Sequence, residues 1–268
     1  MLIFPNCKIN LGLNILQKRE DGFHDIETVF FPIPFTDALE IITSENPTQF
    51  INSGISAGGI ENNLCLKAYR LLKKDYPQLP EINMHLHKAI PTGAGLGGGS
   101  ADAAFTLLLL DKKYELNIPD SKLSSYALQL GSDCPFFLLN KPCIASGRGE
   151  KMEEINLSLS AYKILLINPG IHVNTKEIFQ QIRPAFPFKK IQEIVQQPID
   201  TWKEELANEF ESAVFSLHPE IEKIKEGLYY HKAIYASMTG TGSTVFGIFN
   251  KGDYIDYPAK NGYFQKWI

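Results

Sequence analysis

The residues best suited to chemistry lie in the run Pro91-Thr92-Gly93-Ala94-Gly95-Leu96-Gly97-Gly98-Gly99-Ser100-Ala101. Between Gly93 and Gly99 only two residues carry a β-carbon, so the backbone can approach a ligand closely and adopt positive φ. Ser100 follows where a helix N-cap would fall. Loop amides joined to the positive end of a helix make a site for phosphate groups. Gly93-x-Gly95-x-x-Gly98 satisfies the dinucleotide fingerprint literally. However, the strand before it is half polar, and no acidic residue ends a second strand about 20 residues on. Neither GxxxxGK[ST] nor an HRD or DFG segment occurs, which excludes a Walker A loop and the protein-kinase arrangement. A second glycine-rich turn, Thr239-Gly-Thr-Gly-Ser243, lies near the end of the chain. His85 and His87 are read as solvated side chains on one strand face, not as metal ligands.

The elements that must position these residues show in the hydrophobic periodicity. Ile9, Leu11, Leu13 and Ile15 alternate with polar or small residues as in a half-buried strand. Segments 28–34 and 38–43 are also β-prone. A helix is expected over 62–74, and then a strand with Ile82, Met84 and Leu86 on its dry face. A helix with Ala103, Ala104, Leu107 and Leu108 on its apolar side should follow the glycine run, and another should span 121–130. Beyond Lys151 the spacing predicts a strand over 162–167 and helices over 175–181, 202–216 and 220–229. A hairpin, 233–238 and 244–249, closes around the second glycine turn. Strands and helices do not alternate regularly, so the fold class is α+β. The polar stretch Ser146 to Asn156 is the expected junction between domains 1–150 and 151–268.

The chain has 268 residues, 44% hydrophobic and 21% charged, enough for a sizeable core. Its mean hydropathy is −0.12, and the longest apolar run, Phe105 to Leu110, is far short of a membrane span. The first residues lack the charged and apolar regions of a signal peptide. Cys7, Cys65, Cys134 and Cys143 form no CxxC, which fits a reducing cytoplasm. A net charge of −4 argues against a general nucleic-acid binder but permits a small anionic ligand.

Pro91 to Ala101 resembles the P-x-G-x-G-L-G-(S/G)-(S/G)-S-A motif of the GHMP kinases. The lysine-bearing strand near the N-terminus and the Thr239–Ser243 turn resemble two further segments of that superfamily. The resemblance implies a two-domain fold, with an N-terminal domain like ribosomal protein S5 domain 2 and a ferredoxin-like C-terminal domain. It also implies ATP as co-substrate and Mg²⁺ to neutralise its phosphates.

Cys7-Lys-Ile-Asn-Leu-Gly-Leu, Arg19-Glu-Asp-Gly-Phe-His-Asp and Leu130-Gly-Ser-Asp-Cys-Pro135 are similar to segments of the 4-diphosphocytidyl-2-C-methyl-D-erythritol kinase family. The similarity runs from Cys7 to Phe246. It implies phosphorylation of the 2-hydroxyl of that compound, in the methylerythritol phosphate route to isoprenoids. By this resemblance Asp133 accepts the proton of the acceptor hydroxyl and Lys8 stabilises the developing alkoxide. The 91–101 run wraps ATP, assisted by Asn63 and Lys88, with Ser100 beside a phosphate or the metal. Phe23 and Phe179 sandwich the cytosine, His24 reads its edge, and Asn10 and Thr175 hold the rest of the substrate. Gly240, Thr241 and Gly242 close over the phosphates. No carboxylate cluster identifies itself as a metal site, so the ion would be carried by ATP. The partner is a small molecule, with neither nucleic acid nor membrane, and the enzyme is expected as a monomer or weak homodimer. Phe23 stands where the family usually has tyrosine, and so lacks a hydroxyl. Two alternatives remain at this stage: another GHMP kinase, acting on mevalonate or homoserine, and a catalytically silent nucleotide-binding module.

Overall fold

The computed structural model describes residues 1–56, 58–258 and 260–268. Strands β1 (Leu2–Ile3), β2 (Asn6–Lys18), β3 (His24–Thr36), β4 (Ala38–Thr43) and β5 (Gln49–Gly54) precede α1 (Leu64–Asp75) and β6 (Ile82–Lys88). Next come α2 (Gly98–Tyr114), α3 (Asp120–Leu130), α4 (Cys134–Leu139), β7 (Cys143–Gly147) and β8 (Lys151–Glu154). Strand β9 (Tyr162–Asn168) leads into α5 (Thr175–Gln181), α6 (Ile191–Val195), α7 (Trp202–Glu205), α8 (Phe210–Leu217) and α9 (Pro219–Tyr230). The chain ends with β10 (Tyr235–Met238), β11 (Val245–Asn250) and β12 (Phe264–Trp267). Antiparallel pairing dominates and the helices are segregated, which is the expected α+β class.

The chain divides into two compact units. The first holds Met1–Cys7, Pro34–Thr92 and Gly97–Asn140. Its sheet has the order β1-β4-β6-β5. Leu39 and Ile41 of β4 face Leu86 and Met84 of antiparallel β6, and all four are buried. Burying such a side chain stabilises by roughly 1.5–3 kcal/mol. The other face of β6 is wet: His85 and His87 are exposed and both bond to Ser53 Oγ on parallel β5. Helices α1 to α4 pack together, with α2 against β4. Helix α1 starts where Asn63 Oδ1 accepts from the amides of Cys65 and Leu66, which satisfies two of the helix's unpaired donors.

The second unit holds Lys8–Ile33, Gly93–Leu96 and Lys141–Ile268. Its sheets have the orders β2-β3-β7-β8 and β10-β11-β9-β12. Leu13 and Ile15 of β2 share a core with Leu165, Ile167, Val214, Ile224 and Phe249. Within Ser146–Asn156, the expected junction, β7 pairs with β8 in a hairpin; its polarity reflects an exposed sheet edge. The helix expected over 202–216 is interrupted between Glu205 and Phe210. There Asn208 makes a parallel bridge to Leu13, and the amide of Glu209 donates to Leu13 O. Pairing with the strand outcompetes continuation of the helix.

Candidate active site

In the first unit the phosphate-loop chemistry begins at α2. The helix starts at Gly98, and Gly97 is its cap with φ +70. Ser100 is therefore the third helical residue and not the N-cap expected from the sequence. The amide of Ala101 already bonds to Gly97 O, so the first-turn donors are those of Gly98, Gly99 and Ser100. Ser100 hydrogen-bonds with the Cys134 thiol. The first turn of α2 thus lies beside the Gly131–Cys134 turn, in which Asp133 precedes α4.

Below this turn lies a buried ion cluster. The Lys88 ammonium is 2.9 Å from Asp102 on α2 and also bonds Asp37. Asp37 Oδ1 accepts from the amides of Ala89 and Ile90, immediately before Pro91. The cluster therefore holds both ends of the 91–101 run. A β-carbon on Gly98 would lie 3.1 Å from Lys88 Nζ and 2.9 Å from Ile90 Cγ2, so glycine lets the helix start settle onto the cluster. Burial pushes the Asp102 carboxyl up to about 7, opposed by Lys88 and reinforced by Asp37. Burial acts to lower the Lys88 pKa, but Asp102 and Asp37 override it and hold it above the ordinary lysine value. Lys88, 1% exposed, is thus occupied within the protein, and the side chain of Asn63 is occupied as a helix cap. The groups expected to contact the nucleotide, Lys88 Nζ and Asn63 Oδ1, thus bond within the first unit itself.

In the second unit Gly93–Leu96 is fastened on three sides. The Lys8 amide donates to Leu96 O at 3.0 Å, the Thr244 amide to Ala94 O at 3.2 Å, and Thr239 Oγ1 to Gly95 O at 3.1 Å. Gly95 has φ +78, and a β-carbon there would fall 2.0 Å from Thr239 O. The side chain of Lys8 is buried, with Nζ 4.8 Å from the Phe30 ring centroid and 2.5 Å from Asn10 Oδ1. Asn10 Nδ2 donates to Thr28 Oγ1 at 3.0 Å. Thr175, expected to hold the substrate, and Thr241, expected in the loop over the phosphates, have their hydroxyls 3.0 Å apart.

The expected base-recognition residues lie in the same unit. The His24 ring stacks on Phe179 with centroids 4.6 Å apart and planes 17° from parallel, and Phe179 meets Phe210 edge-on. The Arg148 guanidinium lies 3.8 Å from the centroid of Phe23, which is 49% exposed. An imidazole thus covers the Phe179 ring and a guanidinium the Phe23 ring. Both pairings place a flat, polarisable group on an aromatic face. Burial, followed by Lys18, holds the His24 pKa below the ordinary histidine value.

Sequence reasoning missed Thr239, Asn208, Asp37 and Asp102. Asn208 Nδ2 donates to Met238 O and Gly240 O, at 2.7 and 2.8 Å, so it brackets Thr239. Glu211 accepts from Ser237 Oγ and the Met238 amide. The available signal was an unexplained Asn-Glu-Phe-Glu tetrapeptide in the middle of a helical pattern. Within the first unit, the phosphates of ATP fit the first-turn amides of α2 and the Ser100 hydroxyl. No group of three or more His, Cys, Asp or Glu suited to a metal occurs among the described residues.

Residues 63–141 match the GHMP kinases N terminal domain and residues 191–256 the GHMP kinases C terminal domain. Fold and phosphate loop together define an ATP-dependent small-molecule kinase of the GHMP class. The chain is 49% identical to the 4-diphosphocytidyl-2-C-methyl-D-erythritol kinase of Bacteroides fragilis, covering 95% of this chain and 94% of that one. It is 42% identical to the enzyme of the same name from Porphyromonas gingivalis, over 97% and 96% of the two chains. A crystal structure of 4-(cytidine 5'-diphospho)-2C-methyl-D-erythritol kinase superposes with a TM-score of 0.80 at 30% identity, over 92% and 90%. The chain belongs to the 4-diphosphocytidyl-2-C-methyl-D-erythritol kinase family. A homoserine kinase from Cytophaga hutchinsonii, at 13% identity and TM-score 0.66, shares the fold.

Proposed function

We infer that the protein transfers the γ-phosphoryl group of ATP to the 2-hydroxyl of 4-diphosphocytidyl-2-C-methyl-D-erythritol, a step of the methylerythritol phosphate route. The amides of Gly93 to Ser100 bind the triphosphate, and the Ser100 hydroxyl meets a phosphate or the accompanying Mg²⁺. That ion, when bound, neutralises charge on the β- and γ-phosphates. Asp133 takes the proton of the acceptor hydroxyl. The hydroxyl oxygen then bonds to the γ-phosphorus as the bond from phosphorus to the β-phosphate oxygen breaks. A carboxylate is a weak base for an alcohol, which suffices because a loose transition state needs little early deprotonation. Lys8, held by Asn10, stabilises the alkoxide as charge develops. Gly240, Thr241 and Gly242 close over the phosphates.

The observation that carries the substrate assignment is the ring pair His24–Phe179. A kinase whose acceptor contains no base has no use for it. Stacking a base on an aromatic ring contributes roughly 1–3 kcal/mol, with Phe23, Phe179 and His24 supplying the rings and Asn10 and Thr175 holding the remainder. Asn63 and Lys88 support the loop from behind. We also propose functional domains 1–150 and 151–268, which is supported by the matched segments falling on either side of that boundary. The enzyme is read as a cytoplasmic monomer or weak homodimer without a nucleic-acid partner. Buried cysteines that form no disulfide among the described residues, and an acidic charge balance, support that reading.

The test is ADP release from ATP and Mg²⁺ with 4-diphosphocytidyl-2-C-methyl-D-erythritol, mevalonate, homoserine or galactose as acceptor. Turnover with the cytidylylated acceptor alone is expected. Turnover with another acceptor overturns the substrate assignment, and ATP binding without turnover favours a silent module.

A further inference from the structure

We propose that Thr239 is a positioning residue for phosphoryl transfer. Its hydroxyl ties the Gly95 turn of the phosphate loop to Asn10 and, through Asn10, to the Lys8 ammonium. The inference rests on the kinase reading above and adds to it a role for the side chain that opens the second glycine turn.

Counting protons establishes the direction of each bond. Thr28 has one hydroxyl proton, directed to Gly12 O at 2.5 Å, so Thr28 accepts from Asn10 Nδ2. That fixes the amide of Asn10 with Oδ1 toward the ammonium of Lys8. Thr239 Oγ1 accepts from the Asn10 backbone amide at 3.0 Å, which leaves it a single proton to donate. Two acceptors lie within reach: Gly95 O at 3.1 Å and Asn10 Oδ1 at 3.2 Å. When Lys8 Nζ bonds Oδ1, the hydroxyl proton is best used on Gly95 O; when the ammonium turns to an alkoxide, Oδ1 becomes the better acceptor. One buried hydroxyl therefore links the two sides of the reaction within a single unit. Its place is secured by Asn208, which grips the carbonyls on both sides of it, and by the Thr239 amide, which donates to Thr244 O.

Thr239→Val keeps the shape and removes the hydroxyl; Thr239→Ser restores it. In Thr239→Val we expect kcat to fall about tenfold or more, with both KM values within about threefold. Thr239→Ser should return to within about threefold of the parent. In an Asn10→Ala background, adding Thr239→Val should cost less than about twofold, because coupled sites are not additive. A merely structural threonine would instead lower the melting temperature, leave kcat per folded molecule unchanged and give additive losses; either of the last two overturns the proposal. Amide exchange supplies a readout independent of turnover. The Asn10 amide should lose protection in Thr239→Val and regain it in Thr239→Ser. If that pattern holds while the parent fails to phosphorylate the cytidylylated acceptor, the substrate assignment fails and the coupling stands. Unchanged protection overturns the coupling.

Discussion

In the proposed mechanism Lys8 and Asp133 carry the chemistry, and Asp133 makes the first prediction. Asp133→Asn should lower kcat by about 10²–10⁴, the usual contribution of a positioned proton acceptor, with little change in either KM; initial rates at saturating substrates check this. Asp102 predicts a pH effect on stability. An unfolded aspartate titrates near about 3.9, whereas burial, against Lys88 and with Asp37, carries Asp102 to about 7. The native state therefore binds more protons between those values, and stability declines as pH rises through the window. Melting curves should show that decline, and Asp102→Asn should flatten it. Lys88→Met leaves two carboxyls facing each other in the core, and chemical denaturation should show a loss of about 3–5 kcal/mol. For His24, whose pKa is held low by burial and Lys18, the neutral imidazole persists below the ordinary histidine range. The KM for the acceptor should accordingly stay flat from neutral to alkaline pH and rise only in acid. A rise that begins above the ordinary histidine value would count against His24 as a reader of the base.

At the scale of elements, the glycine run works because its ends are tied and its middle is bare. Gly95→Ala would place a methyl group 2.0 Å from Thr239 O at a φ of +78, so the turn must move. The KM for ATP should rise sharply and the melting temperature fall together, as read by nucleotide titration and calorimetry. This loop, the β6 alternation and the β10–β11 hairpin were legible in the sequence because each has a strong local signature: bare backbone, a period of two, a glycine turn between apolar runs. Strand β5 was not, since it lies at the edge of its sheet with most residues exposed, leaving no buried face to read. The break at Asn208 was hidden for another reason. Helical periodicity continues through it, and what interrupts the helix is pairing with β2, almost two hundred residues away in sequence.

At the scale of the molecule, the chain passes from one unit to the other within β2 and again within the glycine run. The motifs were readable because catalytic groups sit in short local patterns. Their supports were not, because Asp37, Lys88 and Asp102, or Asn10 and Thr239, meet only through the fold. No helix among the described residues is long and apolar enough to cross a membrane. The central claim is transfer of the ATP γ-phosphoryl group to the 2-hydroxyl of 4-diphosphocytidyl-2-C-methyl-D-erythritol. The measurement that tests it most directly is phosphorus and carbon NMR of the product. The account predicts one new phosphomonoester, coupled to the quaternary carbon that bears the methyl group, and absent with Asp133→Asn. A phosphomonoester on another hydroxyl, or ATP hydrolysis without transfer, would contradict it.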